Sequence, residues 1–145
     1  MSITNLTIEQ VNELEPSYSP IYPDKLEVRT STIANAGNGC FSKVSISTGA
    51  TIGVYSGFTH DHTQYINQGK RRFAKINSEY TMEISENNRQ TKYITINGLY
   101  GGNELRYING CANQPSIDAN VNINDDGEIY AIKSISADDE LFMDY

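Results

Sequence analysis

Gly102-Asn103-Glu104-Leu105-Arg106-Tyr107-Ile108-Asn109-Gly110-Cys111 is the stretch on which the reading of this chain turns. It opens on glycine, carries Leu105 and Ile108 one helical turn apart, and reaches an asparagine next. Read for local structure alone, it is a helical turn that packs Leu105 and Ile108 inward with Asn109 as its cap. An asparagine at the end of an element is also well placed to offer backbone and amide groups to a ligand. The two readings are compatible.

Two shorter segments flank it. Upstream lies Gly37-Asn38-Gly39-Cys40-Phe41. It lacks the third glycine and the following helix of a dinucleotide-binding turn, so a Rossmann reading fails. What remains is a tight turn using glycine for positive φ, or a place where backbone comes close to a ligand. Downstream, the acidic turn Ala137-Asp138-Asp139 leads into Glu140-Leu141-Phe142-Met143-Asp144-Tyr145. Alone, this reads as an edge strand with a solvent-facing tyrosine.

The remaining chain is β-rich. Thr7-Ile8-Glu9-Gln10 reads as a capping box opening a short helix that Ile8, Val11 and Leu14 carry and Pro16 ends. Residues 17–24, with Pro20 and Pro23 among tyrosines, read as an extended connector. From residue 26 onward the pattern gives short strands at 26–30, 40–46, 51–55, 80–85, 92–96, 120–123 and 128–135. Glu86-Asn87-Asn88-Arg89 and Asn124-Asp125-Asp126-Gly127 read as hairpin loops, the second more strongly because Asp-Gly tolerates positive φ. Residues 60–77 are polar and basic and read as a helix or helical loop. The expected organisation is an N-terminal helix and connector over 1–25, then a mainly β domain of several small packed sheets with short helices over 26–145.

Composition bounds the function. At 145 residues, with 38% apolar and 20% charged content, the chain is one globular domain. A net charge of −7 argues against direct nucleic-acid binding and favours a cationic partner. The short basic cluster Lys70-Arg71-Arg72 reads as a solvated helix face. Two cysteines, Cys40 and Cys111, are too few for a disulfide framework or a cysteine-rich zinc site; they could form one bridge, and read first as reduced buried thiols. His60-Asp61-His62 reads as a surface loop, because three consecutive residues cannot all converge on one ion; no metal is expected. No apolar run approaches the ~20 residues of a membrane span, and the first residues lack a signal-peptide pattern. An intracellular protein, nuclear or cytoplasmic and not secreted, is the expectation.

In their order, the three segments resemble the motifs of SET-domain protein lysine methyltransferases. That family shows a Gly-x-Gly, then an aromatic-small-Gly strand end, which Val54-Tyr55-Ser56-Gly57 fits. Gly-Asn-x-x-Arg-Phe-x-Asn-His-Ser-Cys-x-Pro-Asn and Glu-Leu-x-x-Asp-Tyr follow. Tyr80-Thr81-Met82-Glu83-Ile84 resembles the strand pair before the asparagine motif, and the resemblance covers 26–145. It implies the SET fold (β-clip-like) and methyl transfer from S-adenosylmethionine to lysine side chains of a protein or peptide, with a histone tail as one candidate. The cofactor carries an activated methyl, so neither a metal nor a covalent intermediate is needed. The protein must align methyl and neutral amine, about 3 Å apart, in a desolvated aromatic channel.

The roles that the resemblance implies follow by position. Tyr145 is the catalytic tyrosine and also touches the cofactor; Tyr55 is the second channel hydroxyl. Gly37, Asn38, Gly39 and Cys40 line the methionine part of the cofactor, and Arg106, Asn109 and Gly110 complete its site. Met143, two residues before Tyr145, has no hydroxyl to hold a water, which implies transfer of more than one methyl. The chain departs from the family where Gly110-Cys111 replaces His-Ser; the PR-type subfamily also lacks this His and reads Arg-Tyr-x-Asn-Cys, which residues 106–111 resemble with one extra residue. Residues 112–120 also exceed the usual length, with Asn120 matching the final motif asparagine and the excess bulging outward. Family members continue past the catalytic tyrosine, whereas this sequence stops there. A truncated sequence, a second copy completing the channel as a homodimer, or a catalytically weak or inactive module that binds cofactor or a protein partner would each fit.

Overall fold

The computed structural model describes residues 6–61, 79–86 and 89–145. The helical reading of residues 62–77 and the cluster at 70–72 lie outside the described residues.

Helix α1, Ile8–Asn12, starts at the expected capping box: Gln10 N donates to Thr7 Oγ1 at 3.1 Å, and Thr7 N donates to Gln10 Oε1 at 2.9 Å. Its C-cap is Glu13, three residues before Pro16, and its last turn tightens to i→i−3 bonds from Glu13 N to Gln10 O and from Leu14 N to Val11 O. Val11 anchors it in a small core with Phe58 and Tyr100. The extended connector begins as strand β1, Ser17–Tyr18, which runs parallel to β8, Tyr100–Gly102. The connector is then tied down by Glu104. Ile21 N and Tyr22 N donate to its two carboxylate oxygens at 2.9 and 2.8 Å.

Strands β2, Leu26–Thr30, and β3, Asn38–Ser42, form an antiparallel ribbon from Leu26↔Ser42 to Thr30↔Asn38. The strand expected over 40–46 ends early because the Ser42 hydroxyl bonds locally to Val44, in competition with the ladder. Pairing resumes only at the Ile46↔Ile135 bridge. Strand β4, Thr51–Val54, follows a turn at Gly49, whose φ is 87°.

Strand β5, Phe58–Asp61, was not legible from its polar Thr-His-Asp run. It pairs with β7, Arg89–Asn97, which also pairs with β6, Thr81–Glu86, in an antiparallel sheet ordered β5-β7-β6. His60 is therefore buried in a strand with its ring 5.1 Å from that of Phe58, which corrects the surface-loop reading.

The decisive stretch folds as a 3-10 helix, Glu104–Tyr107, with Leu105 and Ile108 buried as expected. Its N-cap is Asn103, whose Oδ1 accepts from Leu105 N at 3.0 Å and whose Nδ2 donates to Val54 O at 2.8 Å, and its C-cap is Ile108, not Asn109. Asn109 instead begins strand β9, Asn109–Gly110. Strands β10, Val121–Ile123, and β11, Glu128–Ala131, form the Asp-Gly hairpin, with Gly127 at φ 77°.

Strand β12, Phe142–Met143, is internal, which corrects the edge-strand reading. It runs parallel between β10 and β9 in a five-stranded sheet ordered β4-β11-β10-β12-β9. Consecutive strands β9 and β10 are thus separated by the last one. Residues 112–119 form a turn-rich excursion, and Asn120 closes it by donating to Glu140 O and accepting from Phe142 N, both at 2.8 Å. The main core gathers Ile52, Tyr55, Ile96, Leu105, Ile129, Leu141 and Met143. Mostly strand, in several small sheets with little helix, this is the expected fold class.

Glu104 is 2% exposed. Glu104→Ala would leave the Ile21 and Tyr22 N–H groups without their acceptor, so it is expected to cost about 2–4 kcal/mol. Urea denaturation checks this, with a lower midpoint at unchanged slope as the expected result.

Candidate functional site

The motifs converge because β12 lies beside β9. Pairing of Met143 with Gly110 carries Tyr145 over Gly110, where a Cβ would sit 3.0 Å from the tyrosine ring. The turn before β3, the start of β6 and the 3-10 helix close the remaining sides. The resulting cleft of about 620 Å3 is lined by Gly37, Asn38, Tyr80, Arg106, Asn109 and Tyr145, among others. Its size is that of a small-molecule site.

Six of the residues expected at the site line this cleft: Gly37, Asn38, Arg106, Asn109, Gly110 and Tyr145. Gly37 has φ 71°, and its carbonyl accepts from Ser31 N at 2.8 Å. Gly39 and Cys40 do not line it. Gly39 lies behind, where a Cβ would come within 2.3 Å of Glu140 Oε2, and Cys40 is wholly buried. Tyr55 is buried as well, its hydroxyl donating to the Tyr80 carbonyl beneath Gly98.

Tyr145 is 58% exposed as a residue, yet its hydroxyl turns inward and donates to Ile108 O at 2.6 Å. Burial raises the Tyr145 hydroxyl above the ordinary tyrosine range, and Cys40 adds to it. Burial also raises Tyr55, with neighbouring Tyr145 adding and Arg106 opposing. Both phenols are therefore neutral at physiological pH. Each spends its one proton on a backbone carbonyl, so what remains to offer is oxygen lone pairs.

Arg106 is held in an aromatic box. Its guanidinium carbon lies 4.6, 4.8 and 5.0 Å from the ring centroids of Tyr18, Tyr80 and Tyr107. Nη1 donates to Ser17 O and Gly98 O, and Nη2 to the Tyr107 hydroxyl. The remaining nitrogen, Nε, is buried with no hydrogen-bond partner among the described residues.

A second cleft of about 540 Å3 shares Thr81 and Tyr145 with the first. Met82, Ile84 and Met143 give it apolar walls, and Glu83, Asp125 and Asp144 give it acidic ones. Tyr145 thus stands between two clefts. Sequence reasoning missed Tyr80 and Glu140 as site residues, although both lie within quoted motifs. Glu140 is 6% exposed and accepts from Ser31 Oγ at 2.7 Å, Thr32 N at 2.8 Å, Thr32 Oγ1 at 2.6 Å and Asn109 Nδ2 at 3.3 Å. Among the described residues, no group of three or more metal-ligating side chains is assembled, and Cys40 and Cys111 are free, buried thiols.

The fold has known counterparts. A crystal structure of the Chaetomium thermophilum polycomb repressive complex 2 is similar at 23% identity and a TM-score of 0.61, covering 83% of this chain and 15% of that chain. The same complex in an autoinhibited conformation bound to S-adenosylmethionine gives the same identity, TM-score and coverage. An active polycomb repressive complex 2 in the basal state matches at 24% identity and a TM-score of 0.58, covering 83% of this chain and 15% of that one. This chain therefore spans a small part of those proteins, and the likeness is one of fold. No curated protein matches. The family model of the SET domain matches residues 37–145, three-quarters of the sequence, so the chain belongs to the SET-domain family.

Proposed function

We propose that this chain is a protein lysine methyltransferase that takes S-adenosylmethionine in the first cleft and a lysine side chain from the second. The observation that carries the reading is Tyr145, which borders both clefts with its hydroxyl proton committed to Ile108 O.

The residues present suit that cofactor. Gly37 and Gly110 keep the cleft wall free of side chains, and the clash at Gly110 leaves room for the Tyr145 ring alone. Asn38 and Asn109 supply polar groups, while Tyr80 and Tyr107 supply apolar faces. When bound, the cofactor supplies an activated sulfonium methyl. The protein's share is alignment and desolvation. The Tyr145 hydroxyl, on the border of both clefts, has lone pairs to direct at the partly positive methyl or at an amine N–H, whereas Tyr55 lines neither cleft and holds its hydroxyl on the Tyr80 carbonyl. Because both stay neutral, neither is a general base at physiological pH, and the incoming lysine must shed its proton to solvent. The acidic rim of the second cleft favours a basic segment, for which a histone tail is a fitting chemical type. One of the similar structures, of the same Chaetomium complex, holds a trimethyllysine form of H3.

The test is transfer from labelled S-adenosylmethionine to histones and to a lysate by the purified protein. Tyr145→Phe is expected to lower transfer on the order of 100-fold while leaving cofactor affinity nearly intact by calorimetry. Binding without any transfer would instead identify a cofactor-binding module, and absence of binding would remove the reading altogether.

A pH dependence follows from the same tyrosines. Their folded-state pKa values are raised above the unfolded value of about 10. Above that pH the unfolded chain releases protons that the folded chain retains, so stability held below about pH 10 falls as pH rises further. Thermal denaturation midpoints are expected to decline above about pH 10, and Tyr55→Phe should make that decline shallower.

A further inference from the structure

Glu140 is a buried carboxylate whose four donors are all neutral: Ser31 Oγ, Thr32 N, Thr32 Oγ1 and Asn109 Nδ2. None of the ion pairs among the described residues involves it. A buried charge without a counter-ion is costly to keep, and ordinary packing would be served as well by a neutral side chain. The charge lies directly behind the first cleft. Oε2 occupies the space above Gly39 that any side chain there would fill, and it reaches Asn109, which lines the cleft.

The effect on Asn109 is directional. Its Nδ2 group has two protons, and two acceptors face it: Asn38 O at 3.0 Å and Glu140 Oε2 at 3.3 Å. The reverse orientation would set Oδ1 against a carbonyl and a carboxylate, with no donor between them. Both amide protons are therefore used inside the protein, and Asn109 Oδ1 is left as an acceptor.

We infer that Glu140 is a positioning residue: its buried carboxylate fixes the Asn109 amide so that Oδ1 receives a cationic N–H donor in the first cleft, the α-ammonium group of the amino-acid arm of S-adenosylmethionine. The inference rests on the cofactor reading above. Two features favour the ammonium over a neutral hydroxyl. The acceptor is backed by an uncompensated negative charge, and the adjoining turn at Gly37-Asn38 brings backbone, not further cationic side chains, to the same wall.

The test compares two ligands by calorimetry. S-adenosylhomocysteine carries the amino-acid arm; methylthioadenosine keeps the adenosine and lacks both charged groups of that arm. Glu140→Gln is expected to weaken S-adenosylhomocysteine on the order of tenfold and to leave methylthioadenosine unchanged, a selectivity that general loosening of the site would not produce. In an Asn109→Ala background, Glu140→Gln should add little, because both changes remove one acceptor. Equal weakening of both ligands, weakening of neither, or additive effects would overturn the inference. Failure of the wild-type protein to bind either ligand would instead overturn the cofactor reading. A second measurement needs neither ligand nor a folded variant: the Asn109 side-chain amide protons of the free wild-type protein should be protected from exchange with solvent. Rapid exchange would also overturn the proposed orientation.

Discussion

A carboxylate held away from water by neutral donors joins parts of this molecule that are far apart in sequence. Glu140 takes its hydrogen bonds from the loop after β2, from the main chain of that loop and from the asparagine that begins β9. Its backbone bridges to Phe41 and its carbonyl accepts from Asn120. Gly39 is a glycine because the carboxylate stands where its side chain would be. Remove the charge and the loop after β2 and the Asn109 amide lose their common reference, while the return from the 112–119 excursion stays on the Glu140 carbonyl. Few single groups in a small domain set so many relative positions, and the first cleft is the space they leave.

Glu104 does related work on the other side of the 3-10 helix, receiving two backbone amides from the connector. Asn103 fixes the start of the same helix to β4. Arg106 then uses that rigid turn to stack among three tyrosines, one of them from β1. The polar side chains of the motif are thus mostly engaged with the protein itself. That is why the cleft can be shaped so closely by a segment with so little regular structure.

Much of this was legible in the sequence. The three motifs pointed to convergence of Gly37, Asn109 and Tyr145, and short strands with turn residues pointed to several small sheets. The capping box at Thr7 and the Asp-Gly hairpin formed as read, because their signals are local and short-range hydrogen bonds decide them. Misreadings came where tertiary contacts overrode local pattern. Asn109 resembled a C-terminal cap but is drawn into β9 by its neighbour β12, and the helix ends one residue earlier at Ile108. The Phe142–Met143 run resembled an edge strand because nothing in its composition reveals that it lies between two earlier strands. His60 and its strand were hidden by polar residues that become buried only through pairing with β7. Glu140 was visible as a letter of a motif; its function as an orienting charge depended on donors about 109 residues earlier in the chain.

The insertion of β12 between β9 and β10 has a consequence for how the protein comes into being. A chain is synthesised from its N-terminus, and β9 and β10 exist well before residues 142–143 are made. Until then each exposes a backbone edge to the other across a gap that neither can close. The sheet, and with it the position of Tyr145, is completed only when Phe142–Met143 pairs with Asn109–Gly110 and Val121. Nascent chains that stall before Phe142 would carry two unsatisfied strand edges, the kind of surface that chaperones hold and that aggregates recruit.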